Sequence, residues 1–252
     1  MQRYRLILDL QLFSQEKTEP ATPRRRQEAR RKGQVASSME IPSAFILLFA
    51  FLGVLMLGGY YKNRLYRMFG DVFESGLTME LTADSLGGLA MKWMTEVALL
   101  LLPIFVITMV VGIASHVFQF GWLFTFEPLK PSLRNINPIQ GFKQIFSTRS
   151  LVDFAKSILK LLIVGFMVYT TIWGELESIV LLDHALPEQI LSFAASLTLS
   201  LGVKIAVLLV ALAFLDFLYR KYMHEKSIRM SKQDIKDEHK KLEGDPLIKG
   251  KI

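Results

Sequence analysis

The sequence predicts an all-α integral membrane protein in which four transmembrane-type helices form two hairpins, joined by a long cytoplasmic loop and followed by a helical C-terminal stalk. Three observations carry this prediction. Residues 41–61 contain no Asp, Glu, Lys or Arg, and neither do residues 97–126. Hydrophobic residues make up 51% of the chain. A bilayer core needs about 20 apolar residues as helix, whereas a water-soluble helical protein has no reason to keep such long stretches uncharged.

Four hydrophobic blocks define the predicted spans, which cover residues 41–61, 97–122, 151–174 and 189–215. Ser150 and Asp153 form a capping-box-like start for the third span. The spans divide the chain into three regions. We expect a basic cytoplasmic segment over residues 1–40, a membrane domain over 41–216, and a charged helical linker over 217–252 that leads towards a cytoplasmic domain absent from this chain.

The basic residues outside the spans predict the orientation. Lys and Arg together number nine in residues 1–40, four in 62–96, five in 123–156, none in 175–188 and ten in 216–252. Basic residues accumulate on the cytoplasmic side of membrane proteins. The alternation therefore predicts that both termini are cytoplasmic and that the number of crossings is even.

The composition excludes several kinds of chemistry. The chain has no Cys and only four His, so disulfides, thiolate nucleophiles and cysteine-ligated metal sites cannot form. The sequence contains no Gly-rich phosphate loop, no His-Glu-x-x-His motif and no Ser/His/Asp arrangement that differs from chance. We therefore predict no catalytic residue, no metal and no cofactor.

A short, strongly basic helix is predicted near the N-terminus. Thr22 can cap it, Pro23 suits its first position, and Gly33 provides a stop. Glu28 lies four residues before Lys32, a spacing that stabilises a helix. The basic patch consists of Arg24, Arg25, Arg26, Arg30, Arg31 and Lys32. Anionic lipid, a protein partner or nucleic acid could bind it; nucleic acid is disfavoured because the segment offers no aromatic ring for base stacking.

The loop between the second and third spans, residues 123–150, contains more sequence features than a simple connection needs. Pro128, Pro131 and Pro138 fix bends in it, and Asn137 can cap a short helix that begins at Pro138. The apolar residues that share one face of this helix are Ile139, Phe142, Ile145 and Phe146. Two interpretations stay open: an interfacial helix that lies on lipid, and an apolar stripe that binds another protein.

Past residue 216 the chain becomes densely charged. Apolar residues recur at Ile228, Ile235 and Leu242, which predicts a thin stripe along a solvated helical stalk. Gly244 and Pro246 are the expected end of this stalk.

Three ionisable residues in the predicted spans are candidates for a role, namely Lys204, Lys160 and His116. Lys204 precedes Asp216 by 12 residues, roughly 18 Å of helix, which is too far for its side chain to reach the membrane surface. We therefore expect Lys204 to face protein or a wet crevice, as a structural polar contact or in gating. Lys160 can reach the cytoplasmic interface near Lys156, and His116 is expected to be an interfacial histidine rather than a proton relay.

Three polar stretches carry a resemblance to a known family. They read EKTEPATPRRRQEARRKGQVA near the N-terminus, LKPSLRNINPIQGFKQIFSTRSLVDFAKS in the middle and MSKQDIKDEHKKLEGDPLIKGKI at the C-terminus. In this order around four hydrophobic spans, they resemble the signature stretches of the type III secretion export-switch proteins. The resemblance covers the chain from residue 16 onwards. Flagellar members are nearer than their virulence-injectisome homologues.

This resemblance implies a subunit of the protein export gate in the bacterial inner (plasma) membrane. In that family two hairpins pack against a gate built by three small partner membrane proteins, and the loop between the hairpins wraps the gate's cytoplasmic entrance. The cytoplasmic export machinery, membrane lipid and, indirectly, unfolded secreted substrates are further implied partners; nucleic acid is not. The expected gate-contact residues are Pro128, Pro131, Asn137, Pro138, Gly141, Phe142, Ile145, Phe146 and Arg149.

The family's cytoplasmic domain cleaves itself at an Asn-Pro-Thr-His motif and so switches substrate class from rod and hook to filament proteins. Here Asn137 and Pro138 are followed by Ile139 and Gln140, so autocleavage is not carried over and we expect no enzymatic activity. The main expectation is a flagellar type III export subunit linked to the substrate-specificity switch. The alternatives are an injectisome homologue and an independent small transporter or channel.

Overall fold

Helices dominate the chain in the computed structural model, which describes residues 17–76, 82–127 and 147–243. Within these ranges there is no β-strand; the nearest approach to one is an isolated antiparallel bridge between Glu19 and Met230. The all-α prediction is therefore confirmed for this part of the chain. The predicted loop residues 128–146 lie outside the described residues, and so do Gly244 and Pro246.

The helices are numbered here in chain order. They are α1 (Pro23–Arg31), α2 (Glu40–Met56), α3 (Gly58–Asp71), α4 (Ala83–Phe120), α5 (Thr148–Gly174), α6 (Leu176–Leu181), α7 (Pro187–Ser227) and α8 (Lys232–Glu243). A π-turn, Val72–Gly76, extends α3, and a 3₁₀ turn, Leu182–His184, follows α6.

The chain divides into two compact units. The first, called the polar unit, contains α1, residues 122–127, the last turns of α7, and α8. Its buried apolar cluster is small and consists of Ala21, Ala29 and Ile228. Because so little apolar surface is buried, hydrogen bonds and ion pairs must contribute much of what holds this unit together.

Helix α1 begins and ends as the sequence predicts. Thr22 is the N-cap, and its hydroxyl accepts a hydrogen bond from the backbone N–H of Arg25 at 3.2 Å. Pro23 occupies the first position, where its missing N–H costs nothing. After the helix, Gly33 adopts a φ of 74°, a left-handed conformation that glycine adopts without strain. The sequence placed Glu28 opposite Lys32, but in the structure Glu28 forms its ion pair with Arg24, at 3.3 Å.

The second unit, called the membrane unit, contains α2 to α6 and α7 up to Phe217. Two glycines let its helices approach closely. A Cβ at Gly53 of α2 would lie 2.7 Å from Ile107 of α4, and one at Gly202 of α7 would lie 2.2 Å from the Phe51 ring of α2. Contact between α2 and α7 continues through the buried residues Ile41, Ala44 and Ala213.

Two helices of the membrane unit, α4 and α7, are long and apolar enough to cross a membrane. Not one residue in the most apolar 18-residue stretch of α4 is buried within the chain. Lipid or neighbouring proteins must therefore cover this apolar surface. The described residues thus fit a membrane protein, although α5 is not among the helices that meet these criteria, and the four-span hairpin arrangement stays a prediction.

The predicted first span, residues 41–61, is not one straight helix. Helices α2 and α3 meet at a bend of 67°, and only together are they long and apolar enough to count as a third crossing. Gly58 and Gly59 follow the bend, and glycine weakens a helix by about 1 kcal/mol relative to alanine. The apolar block was correctly located, but its hydropathy contained no signal for the change of direction.

Two further boundaries differ from the sequence expectations. Ser147, not Ser150, caps α5, and its hydroxyl accepts a hydrogen bond from the Ser150 N–H at 3.2 Å. The stalk is not continuous either: α7 ends at Ser227 and α8 begins at Lys232. Ile228 lies in this break, buried against Ala21 and Ala29, so it belongs to the core of the polar unit and not to a stripe along one helix.

Candidate functional site

Two polar clusters among the described residues, one in each unit, are the candidate sites. The first is called the linker contact and consists of Glu19, Thr22, Arg26, Glu225, Met230 and Glu238 of the polar unit. The second is called the membrane node and consists of Ser38, Gln119, Lys156 and Asp216 of the membrane unit. Both bring together residues that are distant in sequence.

The linker contact is built on paired backbone hydrogen bonds. The Glu19 N–H donates to the Met230 carbonyl at 3.0 Å, and the Met230 N–H donates to the Glu19 carbonyl at 3.0 Å. This pairing places the segment before α1 alongside the break between α7 and α8. The backbone groups exposed by that break are thereby satisfied, as buried polar groups in folded proteins usually are.

Thr22 joins the two helices of the linker contact through one hydroxyl group. While this hydroxyl accepts the capping bond from Arg25, it donates to the Glu238 carboxylate, whose oxygens lie 2.8 and 3.0 Å away. A hydroxyl has one proton and two acceptor sites, so both roles are compatible. The residue that starts α1 therefore also holds α8.

Opposite charges face each other around this contact. Arg26 pairs with Glu225 at 3.2 Å. Beside them, a cavity between α1 and α8 is lined by three cations, Lys17, Arg24 and Arg25, and by the acids Glu28, Asp234, Asp237 and Glu238. The basic face of α1 and the acidic start of α8 are thus complementary in charge.

A reciprocal pair of hydrogen bonds starts α8. The Ser231 N–H donates to the Asp234 carboxylate at 2.9 Å, and the Asp234 N–H donates to the Ser231 hydroxyl at 3.1 Å. Hydrogen bonds from Ser231 to the Asp234 carboxylate, first from the backbone of Ser231 and then from its side chain, hold the pKa of Asp234 below its ordinary value of 3.8. The positive charges of Lys17 and Arg25 lower the pKa further, and desolvation opposes them.

The remaining residues of the basic patch lie along the rest of α1. Arg30 donates to the Trp122 carbonyl at 3.2 Å, and the Arg31 carbonyl accepts a bond from the Thr125 hydroxyl at 2.7 Å. Lys32 lines a second cavity with His224 and Ile228. The patch therefore serves in part as the scaffold of its own unit, a role that its sequence did not indicate.

The membrane node is built around the Asp216 carboxylate near the end of the apolar part of α7. It accepts a bond from the Ser38 hydroxyl at 2.8 Å and one from the Lys156 ammonium at 3.0 Å. The Ser38 N–H in turn donates to the Gln119 side-chain carbonyl at 2.8 Å. Ser38 is fully buried. The node therefore ties the start of α2 to α4, α5 and α7.

Of the three ionisable residues singled out in the spans, one has a charged partner. The Lys160 ammonium of α5 hydrogen-bonds to the Glu40 carboxylate at the start of α2. His116 is exposed, with its ring 6.0 Å from that of Phe120. Lys204 is also exposed and has no ion pair with any described residue. Lys204 is two residues from each of the buried residues Gly202 and Ala206, a rotation of about 200° along a helix. Its side chain therefore points to nearly the opposite side of α7 from the packed face.

The predicted gate-contact residues cannot be placed. Eight of them lie within residues 128–146, outside the described part of the chain, and the ninth, Arg149, lies in the first turn of α5 without a described side chain. The membrane node was not predicted from the sequence. Ser38 and Asp216 lie close to the ends of apolar blocks and Lys156 lies within one, but nothing in the sequence pairs them.

Comparison with known proteins defines the class of the molecule. The sequence profile of the FlhB HrpN YscU SpaS Family matches residues 15–252. The chain is 43% identical over 248 residues to the flagellar biosynthetic protein FlhB of Bacillus subtilis, a match that covers 98% of this chain and 69% of that protein. It is 33% identical to the same-named protein of Aquifex aeolicus, over 96% of this chain and 68% of the relative.

A virulence relative is also similar. The Yop proteins translocation protein U of Yersinia pestis is 34% identical over 95% of this chain and 67% of that protein. The chain therefore belongs to the FlhB/HrpN/YscU/SpaS family, a family of membrane proteins of flagellar and type III protein export.

Proposed function

We propose that this protein is the membrane subunit of a flagellar type III protein export gate, that residues 123–150 wrap the cytoplasmic entrance of the gate, and that the C-terminal linker connects it to the substrate-specificity switch. The observation that carries the proposal is the 43% identity, over almost the whole chain, to a flagellar export protein. The Bacillus subtilis flagellar relative is 43% identical and the Yersinia virulence relative 34%, and this difference favours a flagellar over an injectisome role; the Aquifex flagellar relative, at 33%, does not discriminate.

The composition of residues 123–150 supports the wrapping role. Prolines stand at positions 128, 131 and 138, and proline favours bends over long regular elements, which suits a segment that follows the curved rim of a pore. The apolar face of Phe142, Ile145 and Phe146 would anchor it on neighbouring subunits. As proposed gate contacts, these residues would bind the three small membrane proteins of the gate, while the export machinery and its unfolded cargo would engage from the cytoplasm.

The uncovered apolar surface of α4 and α7 supports assembly with membrane partners. An unpaired lysine at the centre of a span costs about 2.5 to 3.5 kcal/mol even by insertion scales. We therefore assign Lys204 to a protein neighbour or a wet crevice of the assembled gate. We place the chain in the bacterial inner membrane with both termini cytoplasmic, as the distribution of basic residues favours.

Complementation of a deletion strain of the source bacterium tests the proposal. The full-length gene should restore motility and the release of flagellar proteins into the medium. The double variant Phe142→Asp with Phe146→Asp should reach the membrane at a normal level and fail to secrete, whereas Phe142→Leu with Phe146→Leu, which keeps the apolar face, should retain secretion. Normal secretion by the Asp variant would refute the wrapping role. A deletion strain with intact flagella and lost effector secretion would favour the injectisome alternative.

A further inference from the structure

The basic helix α1 lies against the chain's own C-terminal linker. We propose that residues 17–33 form an intramolecular latch whose binding partner is the linker from Glu225 to Glu238, and that the latch sets the position of the linker during export. The latch itself follows from the contacts within the polar unit; only its role in export rests on the proposed function.

The contact between the latch and the linker is specific rather than a general attraction of charges. The two backbone hydrogen bonds between Glu19 and Met230 fix a register. The Thr22 hydroxyl fixes α8 through Glu238 while it caps α1. A basic tail that binds anionic lipid through charge alone would need neither of these bonds.

Charge complementarity identifies the occupant of the basic face. The acids of α8 that line the same cavity as Lys17, Arg24 and Arg25 are Asp234, Asp237 and Glu238. Arg26 already has a carboxylate partner in Glu225. Because these carboxylates neutralise the N-terminal half of the patch, an anionic membrane surface would have to displace them before it could bind there.

The contact is small and exposed to solvent, and both properties make it reversible. The side chains of Arg26 and Glu225 remain 54% and 43% exposed, and ion pairs exposed to this degree are weak and screened by salt. The apolar part consists of two alanines and one isoleucine, namely Ala21, Ala29 and Ile228. Such a contact holds the linker in place and still permits it to open, which is what a latch requires.

Disulfide trapping tests whether the latch closes. Glu19 and Met230 are a hydrogen-bonded antiparallel pair, for which Cα atoms lie about 5.5 Å apart, within the range that a disulfide spans. This sequence contains no Cys, so Glu19→Cys with Met230→Cys introduces two thiols into a stretch of chain that has none. In membranes that contain the full-length protein, mild oxidation followed by maleimide–polyethylene glycol labelling of the remaining free thiols reports closure.

The matched control pair is Glu19→Cys with Lys236→Cys, because Lys236 lies on α8 but does not line the cavity that faces α1. We expect the test pair to oxidise at least about tenfold faster than the control pair, since disulfide formation demands this specific geometry. Equal rates would overturn the latch.

Charge reversal distinguishes the latch from a lipid anchor. Glu225→Arg adds a positive charge beside Arg26, so the latch predicts a fall of about two- to fivefold in the closed fraction, the size expected of an exposed ion pair. Adding Arg26→Glu should restore it. If α1 instead binds anionic lipid, Glu225→Arg leaves closure unchanged or strengthens membrane binding, and either result contradicts the proposal.

Secretion assays on the same variants keep the two proposals separate. Glu225→Arg should lower secretion and the charge swap should restore it. If trapping succeeds but the wild-type gene does not restore flagellar secretion, the proposed function fails and the latch stands. If the gene restores secretion but the trapping rates do not differ, the latch fails and the proposed function stands.

Discussion

The Lys156 ammonium of α5 lies 3.0 Å from the Asp216 carboxylate of α7. The Asp216 side chain is only 11% exposed and that of Lys156 is 33% exposed. The fully buried Ser38 donates to the same carboxylate. This arrangement places an ion pair at the edge of an apolar helix bundle, where leaving one partner without the other is costly.

The first prediction concerns this pair. Lys156→Met and Asp216→Asn should each lower the stability of the protein in detergent by about 1–3 kcal/mol, because each removes one charge of a partly desolvated ion pair. The double variant should cost less than the sum of the two single variants. Thermal unfolding followed by fluorescence measures all three. Strict additivity would show that the two side chains do not interact.

The second prediction concerns the close approach of α7 to α2. A Cβ at Gly202 would lie 2.2 Å from the Phe51 ring, whereas a Cβ at Gly165 of α5 would have no neighbour within 4 Å. Gly202→Ala should therefore destabilise the protein by about 1–3 kcal/mol through overpacking. The control Gly165→Ala should be neutral or stabilise it by up to about 1 kcal/mol, because alanine is the better helix former. Thermal unfolding that shifts equally in both variants would contradict this packing.

The third prediction concerns Lys204. If a gate subunit supplies its counter-charge, Lys204→Met should reduce the amount of gate subunits that co-purify with the chain by at least about tenfold, while Lys204→Arg should retain most of it. Val207→Met, at an exposed apolar position of the same helix, controls for the introduced side chain. If Lys204→Met co-purifies with the gate subunits as well as the wild type does, a gate subunit does not supply the counter-charge of Lys204. Solute flux through vesicles that contain this chain alone, lost on Lys204→Leu, would instead support a transporter.

The fourth prediction concerns pH. Because the pKa of Asp234 is held below its ordinary value of 3.8, its ionised form stabilises the start of α8. This stabilisation is complete above that ordinary value and disappears as the pH falls through the lowered pKa. Hydrogen-exchange protection factors at residues 232–236, corrected for intrinsic exchange, should therefore fall in this acid range. Asp234→Asn should remove the pH dependence; an unchanged dependence would assign the effect to another group.

Features set by neighbouring residues were predictable from the sequence, and features set by distant residues were not. Thr22 and Pro23 start α1 as predicted because capping depends on the next three residues. The choice of Ser147 over Ser150 for α5 was missed because serine at either position is a competent cap. The bond from Thr22 to Glu238 joins residues more than 200 positions apart, and no local pattern encodes it.

The most direct test of the central claim is a co-purification from bacterial membranes. The full-length protein should isolate together with the three small membrane proteins of the gate. The Phe142→Asp, Phe146→Asp double variant, present in the membrane at the same level, should lose them, and the corresponding Leu variant should keep them. Undiminished recovery of all three proteins with the Asp variant would contradict the account, because residues 123–150 would then not be the segment that binds the gate.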